Sequence, residues 1–166
     1  MLFERTFQIA YVTRDLEAAK AAIGRDHGVH DFAAVPARDL PLRIPAGRSA
    51  SLDVAIAWAG RWQIELIQPI SGAVEIYADA LPGPDAALRF HHVAVNVPGA
   101  LGDWERFRSG IDERRIAIEG GREQMRFIYV DDRPTIGHFV EYVWMSDAFV
   151  EANPIWRPSV AQPWLG

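Results

Sequence analysis

One short pattern occurs twice in the chain. Residues Phe90-His91-His92-Val93-Ala94-Val95-Asn96-Val97 are rich in β-branched residues and are closed by Pro98-Gly99, so they read as a strand. Near the N-terminus, Phe7-Gln8-Ile9-Ala10-Tyr11-Val12 has the same form. Read as the first strands of two copies of one module, they give Gln8 and His92 the same place in each copy. At 166 residues the chain has room for two such small modules sharing a core.

The segments after these two strands repeat as well. After the first, Asp15 offers a helix N-cap, Leu16, Ala19 and Ile23 recur at helical spacing, and Gly24 offers a helix end. A short strand is expected around residues 32–35. Residues 51–59 alternate, with Leu52, Val54, Ile56 and Trp58 on one face; Gly60-Arg61 turns the chain and residues 62–69 return as a strand. In the return strand Glu65 shares the face of Gln63 and Ile67. A connector comes next, with a helical turn or two in residues 74–80, broken by Pro82-Gly83-Pro84.

The second half restarts with the strand at residues 90–97. The spacing of Leu101, Trp104, Phe107 and Ile111 predicts a helix over residues 98–111. A short strand at 116–118, a turn at Gly120-Gly121, a strand at 124–130, a turn at 131–134 and a return strand at 138–144 carrying Glu141 complete the copy. The order strand, helix, strand, strand, strand thus occurs twice. This predicts an α+β fold of two βαβββ modules in tandem, residues 1–70 and 89–147, joined by residues 71–88.

His92 lies 84 positions after Gln8, and Glu141 lies 76 after Glu65, so the first copy is eight residues longer. Residues 36–47, with Pro36, Pro41 and Pro45, read as a loop and as the natural place for the excess. Arg38, Arg43 and Arg48 here are read first as solvated surface charges. The sharper alternative is an anion clamp for a substrate phosphate or carboxylate. In the Pro/Trp-rich tail, residues 148–166, Pro154, Pro158 and Pro163 argue against a helix. Trp156 and Trp164 suggest packing on the domain body, a second subunit or a substrate pocket.

Gln8, Glu65, His92 and Glu141 each sit in a strand between apolar neighbours, and each has a like partner in the other copy. Singly, each has an ordinary structural reading: a strand Glu is usually solvated, and a strand His is usually a satisfied structural residue. Together they pose a problem. Two carboxylates facing a sheet interior cannot both stay ionised without a counter-charge, and no Lys or Arg lies within three residues of Glu141. A divalent cation would neutralise both. With no cysteine in the chain, its ligands must be His, Glu, Asp or Gln, a mixed N/O set that suits zinc, nickel, cobalt, manganese or ferrous iron without choosing among them. By alternation His91 and His138 are expected on the opposite face, unless a bulge intervenes. His27 and His30 read as surface residues of a loop. Trp58, Trp62, Tyr129 and Phe139 could build a core or an aromatic-substrate pocket, with core the safer reading.

A net charge of −5 and a pI near 5.5 argue against nucleic acid, which needs a basic footprint. No apolar run is long enough to span a bilayer. Met1-Leu2-Phe3-Glu4-Arg5 lacks the form of a secretory signal, so a cytoplasmic location is expected.

At Gln8–Val12 with Asp15–Ala19, Ile64–Pro69, His91–Val95 and Phe139–Tyr142 the chain resembles the vicinal oxygen chelate superfamily. That superfamily includes glyoxalase I, methylmalonyl-CoA epimerase, extradiol dioxygenases and bleomycin-resistance proteins. The resemblance covers roughly residues 5–147. It implies paired curved mixed sheets enclosing a metal-site cleft, with Gln8, Glu65, His92 and Glu141 as ligands. Extradiol dioxygenases have a His where this chain has Gln8, which counts against oxygen chemistry. Resistance-type binders usually lack the ligand set. The implied reading is therefore the glyoxalase I or methylmalonyl-CoA epimerase branch: a metal-dependent isomerase, epimerase or lyase transferring a proton beside a carbonyl. Glu141 is expected as base and Glu65 as its opposite-face partner, with Gln8 and His92 as fixed ligands. The alternatives are a ring-cleaving dioxygenase and a non-catalytic small-molecule binder. The expected partners are a small-molecule substrate (thioester, hemithioacetal or aromatic) and a second copy of the chain in a homodimer.

Overall fold

The computed structural model describes residues 4–157, so Pro158, Pro163 and Trp164 of the tail lie outside the described residues. The first half runs β1 (Thr6–Val12), α1 (Leu16–His27), β2 (Ala33–Ala34), β3 (Ala37–Ile44), β4 (Ser49–Ala59) and β5 (Trp62–Gly72). A short α2 (Glu75–Ala78) leads to the second half: β6 (Arg89–Asn96), α3 (Leu101–Ser109), β7 (Ile116–Arg122), β8 (Met125–Asp131), α4 (Arg133–Ile136) and β9 (Phe139–Met145). The last elements are α5 (Asp147–Ala152) and a 3₁₀ turn at Pro154–Trp156.

The strands form one curved mixed sheet in the order β2-β4-β3-β7-β8-β9-β6-β1-β5, and β5 pairs back onto β4. The sheet therefore closes on itself like a barrel, which leaves few unpaired edges. Two seams join the halves. At one, β3 pairs with β7, Leu42 opposite Gly120. At the other, β1 and β6 run antiparallel with Ile9 opposite Val93, Gln8 opposite Ala94 and Ala10 opposite His92. This register is symmetric about the Ile9–Val93 pair. In each half the first strand pairs in parallel with the last, Ala10 opposite Glu65 and Ala94 opposite Glu141. Gln8 and His92 thus each stand two residues before the partner of a glutamate. Side-chain alternation does the rest, aiming all four toward the interior.

Ile56, Leu66, Ile67 and Ile128 are fully buried, each contributing roughly 1.5–3 kcal/mol. α1 starts where the Asp15 carboxylate accepts from the Glu17 and Ala18 amides, both at 3.0 Å. It runs past the expected stop: Gly24 is buried within the helix, and Gly28, in the left-handed region, ends it.

Several expectations are corrected. Residues 37–44 form β3 and not a loop. Pro41 is tolerated because pairing passes from β4 to β7 around it, with register shifts on both sides. The extra length of the first half is in regular structure: α1 has 12 residues against 9 in α3, and β4 has 11 against 7 in β8. Gly120-Gly121 lies within β7, opposite Phe127 and Arg126, and the turn falls after Arg122. The tail does contain a helix, α5, because Ser146 caps it and its first proline comes only at Pro154. Of the three loop arginines, Arg38 pairs with Asp53, Arg43 approaches Glu119 at 3.9 Å and Arg48 meets Glu75 at 2.6 Å. Arg38 and Arg48 are paired with acids, and all three arginines are exposed, as the surface-charge reading expects. His27 is the last residue of α1 and not a loop residue; it and His30 are exposed.

Candidate functional site

The interior holds a cavity of about 510 Å³. Gln8, Glu65, Tyr77, Tyr129 and Glu141 line one part of it. His92 is fully buried behind them. Its Nε2 lies 3.5 Å from Glu65 Oε2, 3.5 Å from Glu141 Oε2 and 3.4 Å from the Tyr129 hydroxyl. Three of the four expected ligands therefore meet at one imidazole nitrogen. Gln8 lines the same cavity, but its Nε2 donates to Gln63 Oε1 at 2.6 Å. Gln63 in turn donates to the Ile155 carbonyl at 3.2 Å.

His91 is not on the far face. The pairing shifts so that Ala10 faces His92 while Tyr11 faces Phe90, which leaves His91 as the extra residue of a bulge. A matching shift between Thr6 and Gln8 leaves Phe7 in the same position in the first half, where it lines the cavity. The bulge swings the His91 ring onto Tyr77, with centroids 5.1 Å apart, and its Nδ1 to 2.9 Å from His92 Nδ1. His91 Nε2 lies 3.0 Å from the Ile76 carbonyl. His138 stays outside, its ring against Phe90.

These contacts fix the tautomers. Burial holds both imidazoles neutral, each pushed down to about 3. A carbonyl only accepts, so His91 carries its proton on Nε2. Its Nδ1 must then accept from His92 Nδ1–H. That leaves the lone pair of His92 Nε2 facing Glu65 and Glu141.

The carboxylates face an acceptor and little else. Glu65 Oε2 is buried and has no hydrogen-bond partner among the described residues. Burial pushes Glu65 well up, and the nearby Glu141 adds to it. Burial also raises Glu141, to about 8, offset in part by a hydrogen bond from Tyr129. Tyr129 is itself pushed up by burial and by Glu141.

Such a cluster needs a proton or a cation between its acceptors. Ligands held about 2.0–2.2 Å from one ion lie roughly 3–3.5 Å from each other, the spacing found around His92 Nε2. The donor chemistry and the orphaned oxygen therefore fit a divalent cation. The side chains do not stand in finished ligand geometry: among the described residues no three His, Cys, Asp or Glu groups already surround a common point. Tyr129, read from the sequence as a core or pocket aromatic, and Gln63 join the site unforeseen. Gln63 shared Glu65's face in the sequence, which was the available signal. Of the other aromatics, Phe139 is core, Trp58 donates to the Ile155 carbonyl at 2.7 Å, and Trp62 lies under Arg61.

Known proteins share this architecture. Residues 7–129 match the family model described as the glyoxalase/bleomycin resistance protein/dioxygenase superfamily. No curated relative matches. Among solved structures, a Streptomyces coelicolor methylmalonyl-CoA epimerase variant in complex with 2-nitronate-propionyl-CoA is similar at a TM-score of 0.53 and 15% identity, covering 87% of this chain and 96% of that one. A methylmalonyl-CoA epimerase from Mycobacterium tuberculosis gives 0.50 and 15%, covering 88% and 91%. At such identity the likeness speaks for the fold. No helix among the described residues is long and apolar enough to cross a membrane. With two halves that each open on a strand and a helix and add further strands to one curved mixed sheet, and a family match over most of its length, the chain belongs to the glyoxalase/bleomycin resistance protein/dioxygenase superfamily.

Proposed function

We propose that the protein is an isomerase or epimerase that moves a proton at the carbon beside a carbonyl, with a divalent cation held by Glu65, His92 and Glu141 and completed by Gln8. The observation that carries this reading is the meeting of His92 Nε2, as a lone pair, with two carboxylates whose proton affinity burial has raised. When bound, the cation supplies Lewis acidity that makes the carbon acid easier to ionise. Glu141, whose carboxylate lines the cavity 3.5 Å from His92 Nε2, is the base. Glu65 lies across the site and returns the proton on the other face. Tyr129, whose hydroxyl lies 3.4 Å from His92 Nε2, stands beside the pair. The apolar walls keep bulk water from the carbanionic species.

The test is solvent exchange. The protein, reconstituted in turn with zinc, nickel, cobalt, manganese and ferrous iron, is incubated in D₂O with methylmalonyl-CoA, a glutathione hemithioacetal and an aryl hydroxy ketone. Deuterium entering beside the carbonyl, and its loss in a folded Glu141→Gln variant, is the expected result. Absence of exchange with every metal, or full exchange by Glu141→Gln, overturns the reading. Oxygen uptake with a catechol and ferrous iron would instead favour ring cleavage.

A further inference from the structure

The cavity also constrains the substrate. Away from the carboxylates its walls are Leu52, Val54, Ile67, Phe127 and Val143. Phe149 and Trp156, from the C-terminal segment, complete the lining. That segment is fastened at the Ile155 carbonyl, which accepts from Trp58 Nε1 and from Gln63 Nε2. The same Gln63 accepts from Gln8. One hydrogen-bonded chain therefore places both the apolar cover and the Gln8 amide at the acidic pole.

Among the described residues the rim carries few charges. Its exposed lining residues include Arg38, Arg122 and Glu123. Arg38 is committed to Asp53 and to the Leu52 carbonyl. Arg122 donates to the Arg38 carbonyl and is followed directly by Glu123. Arg43 and Arg48 are turned to Glu119 and Glu75. The residues outside the described range, 1–3 and 158–166, contain no Lys or Arg. Among the described lining residues a nucleotide handle with several phosphates would find only Arg122 without an acid partner.

We infer that the substrate is a small, neutral carbonyl compound with an aromatic-sized apolar body, taken into the cavity, and not a coenzyme A conjugate. Its reactive pole rests on the proton-transfer function proposed above. The body is selected by the walls, independently of any cation. A cavity of about 510 Å³ is within the range of sites that enclose a complete small ligand.

The test uses the full chain, with and without zinc, and calorimetric titration of matched probes. 2-Hydroxyacetophenone and hydroxyacetone carry the same oxygen pair and differ only in the body. The aryl ketone is expected to bind at least tenfold more tightly in both states, and Trp156→Ala, folded by circular dichroism, to narrow that ratio. Acetyl-CoA is expected to bind no better than the N-acetylcysteamine thioester. Equal affinity for the two ketones, including no measurable binding of either, overturns the inference. So does a tenfold preference for acetyl-CoA over its truncated thioester. Failure of deuterium exchange with the aryl preference intact would count against the proton-transfer reading alone.

Discussion

The Nδ1 atoms of His91 and His92 lie 2.9 Å apart, so one must donate and the other accept. The Ile76 carbonyl decides which, because it takes the His91 Nε2 proton. His91 is thus a positioning residue that keeps the His92 Nε2 lone pair facing the carboxylates. Partners that fix the tautomer of a ligating histidine typically contribute 10–100-fold in metal affinity. His91→Phe should weaken zinc binding in chelator competition by about that factor. His91→Gln, whose amide oxygen can accept from His92 Nδ1–H, should recover much of it. Nitrogen-15 spectra should report the shift of His92 to its other tautomer only in the Phe variant. Equal weakening by both would show that the ring merely fills space.

Glu65 Oε2 is the orphaned acceptor of the cluster. An amide in its place removes a buried acid that must otherwise stay protonated, and its NH₂ can donate to the His92 lone pair. Glu65→Gln should therefore raise the melting temperature of the metal-free protein by a few degrees, on the order of 1 kcal/mol. It should also abolish the stabilisation that zinc gives the parent chain. Calorimetric scans with and without zinc check both. A lower melting temperature without metal would mean that Glu65 has a donor partner in solution.

The metal-free protein should lose stability as pH rises from about 6.5 to 8. Folded Glu65 and Glu141 hold protons that the unfolded chain releases near its ordinary value of 4.5, and Glu141 keeps its proton to about 8. The folded state binds more protons across that window, so stability falls as pH rises through it. His91 and His92 act in the opposite sense below it. Their folded values of about 3 lie under the ordinary 6.5, so their contribution grows from about pH 3 to 6.5 and is then complete. Above 6.5 the carboxylates alone set the slope. Denaturation midpoints at pH 6.5 and 8 measure it, and Glu141→Gln should reduce it.

The sequence carried the tandem halves because strand alternation and the repeated strand opening are local properties. The four inward positions were legible for the same reason: Ala10–Glu65 and Ala94–Glu141 pair in equivalent registers. The position of His91 was not, since a bulge is set by pairing with β1 and leaves no mark in the residue order. Residues 37–44 misled because proline content signals a loop only where a ladder needs every amide. The seam between β3 and β7 needs fewer. Tyr129 reads from the sequence as a core or pocket aromatic, with core the safer reading, because its place 3.4 Å from His92 depends on the register of β8 with β9.

At that β3–β7 seam Gly120 sits opposite Leu42, where the two halves meet away from the His92 cluster. A Cβ at Gly120 would stand 2.8 Å from Leu42 Cδ2, 2.8 Å from Phe127 Cζ and 2.9 Å from the Pro41 carbonyl oxygen. The two side chains can shift, but the carbonyl belongs to the strand itself. Phe127 also lines the cavity, so any adjustment is passed inward. Gly120→Ala should destabilise the protein by about 1–3 kcal/mol, the usual range for overpacking. Gly102→Ala is the control, since a Cβ there meets nothing within 4 Å and the residue is exposed on α3. Urea denaturation of both variants separates seam strain from loss of glycine as such. If Gly120→Ala melts with the parent, β3 and β7 are not held together in solution at this spacing, and the sheet is open along that edge.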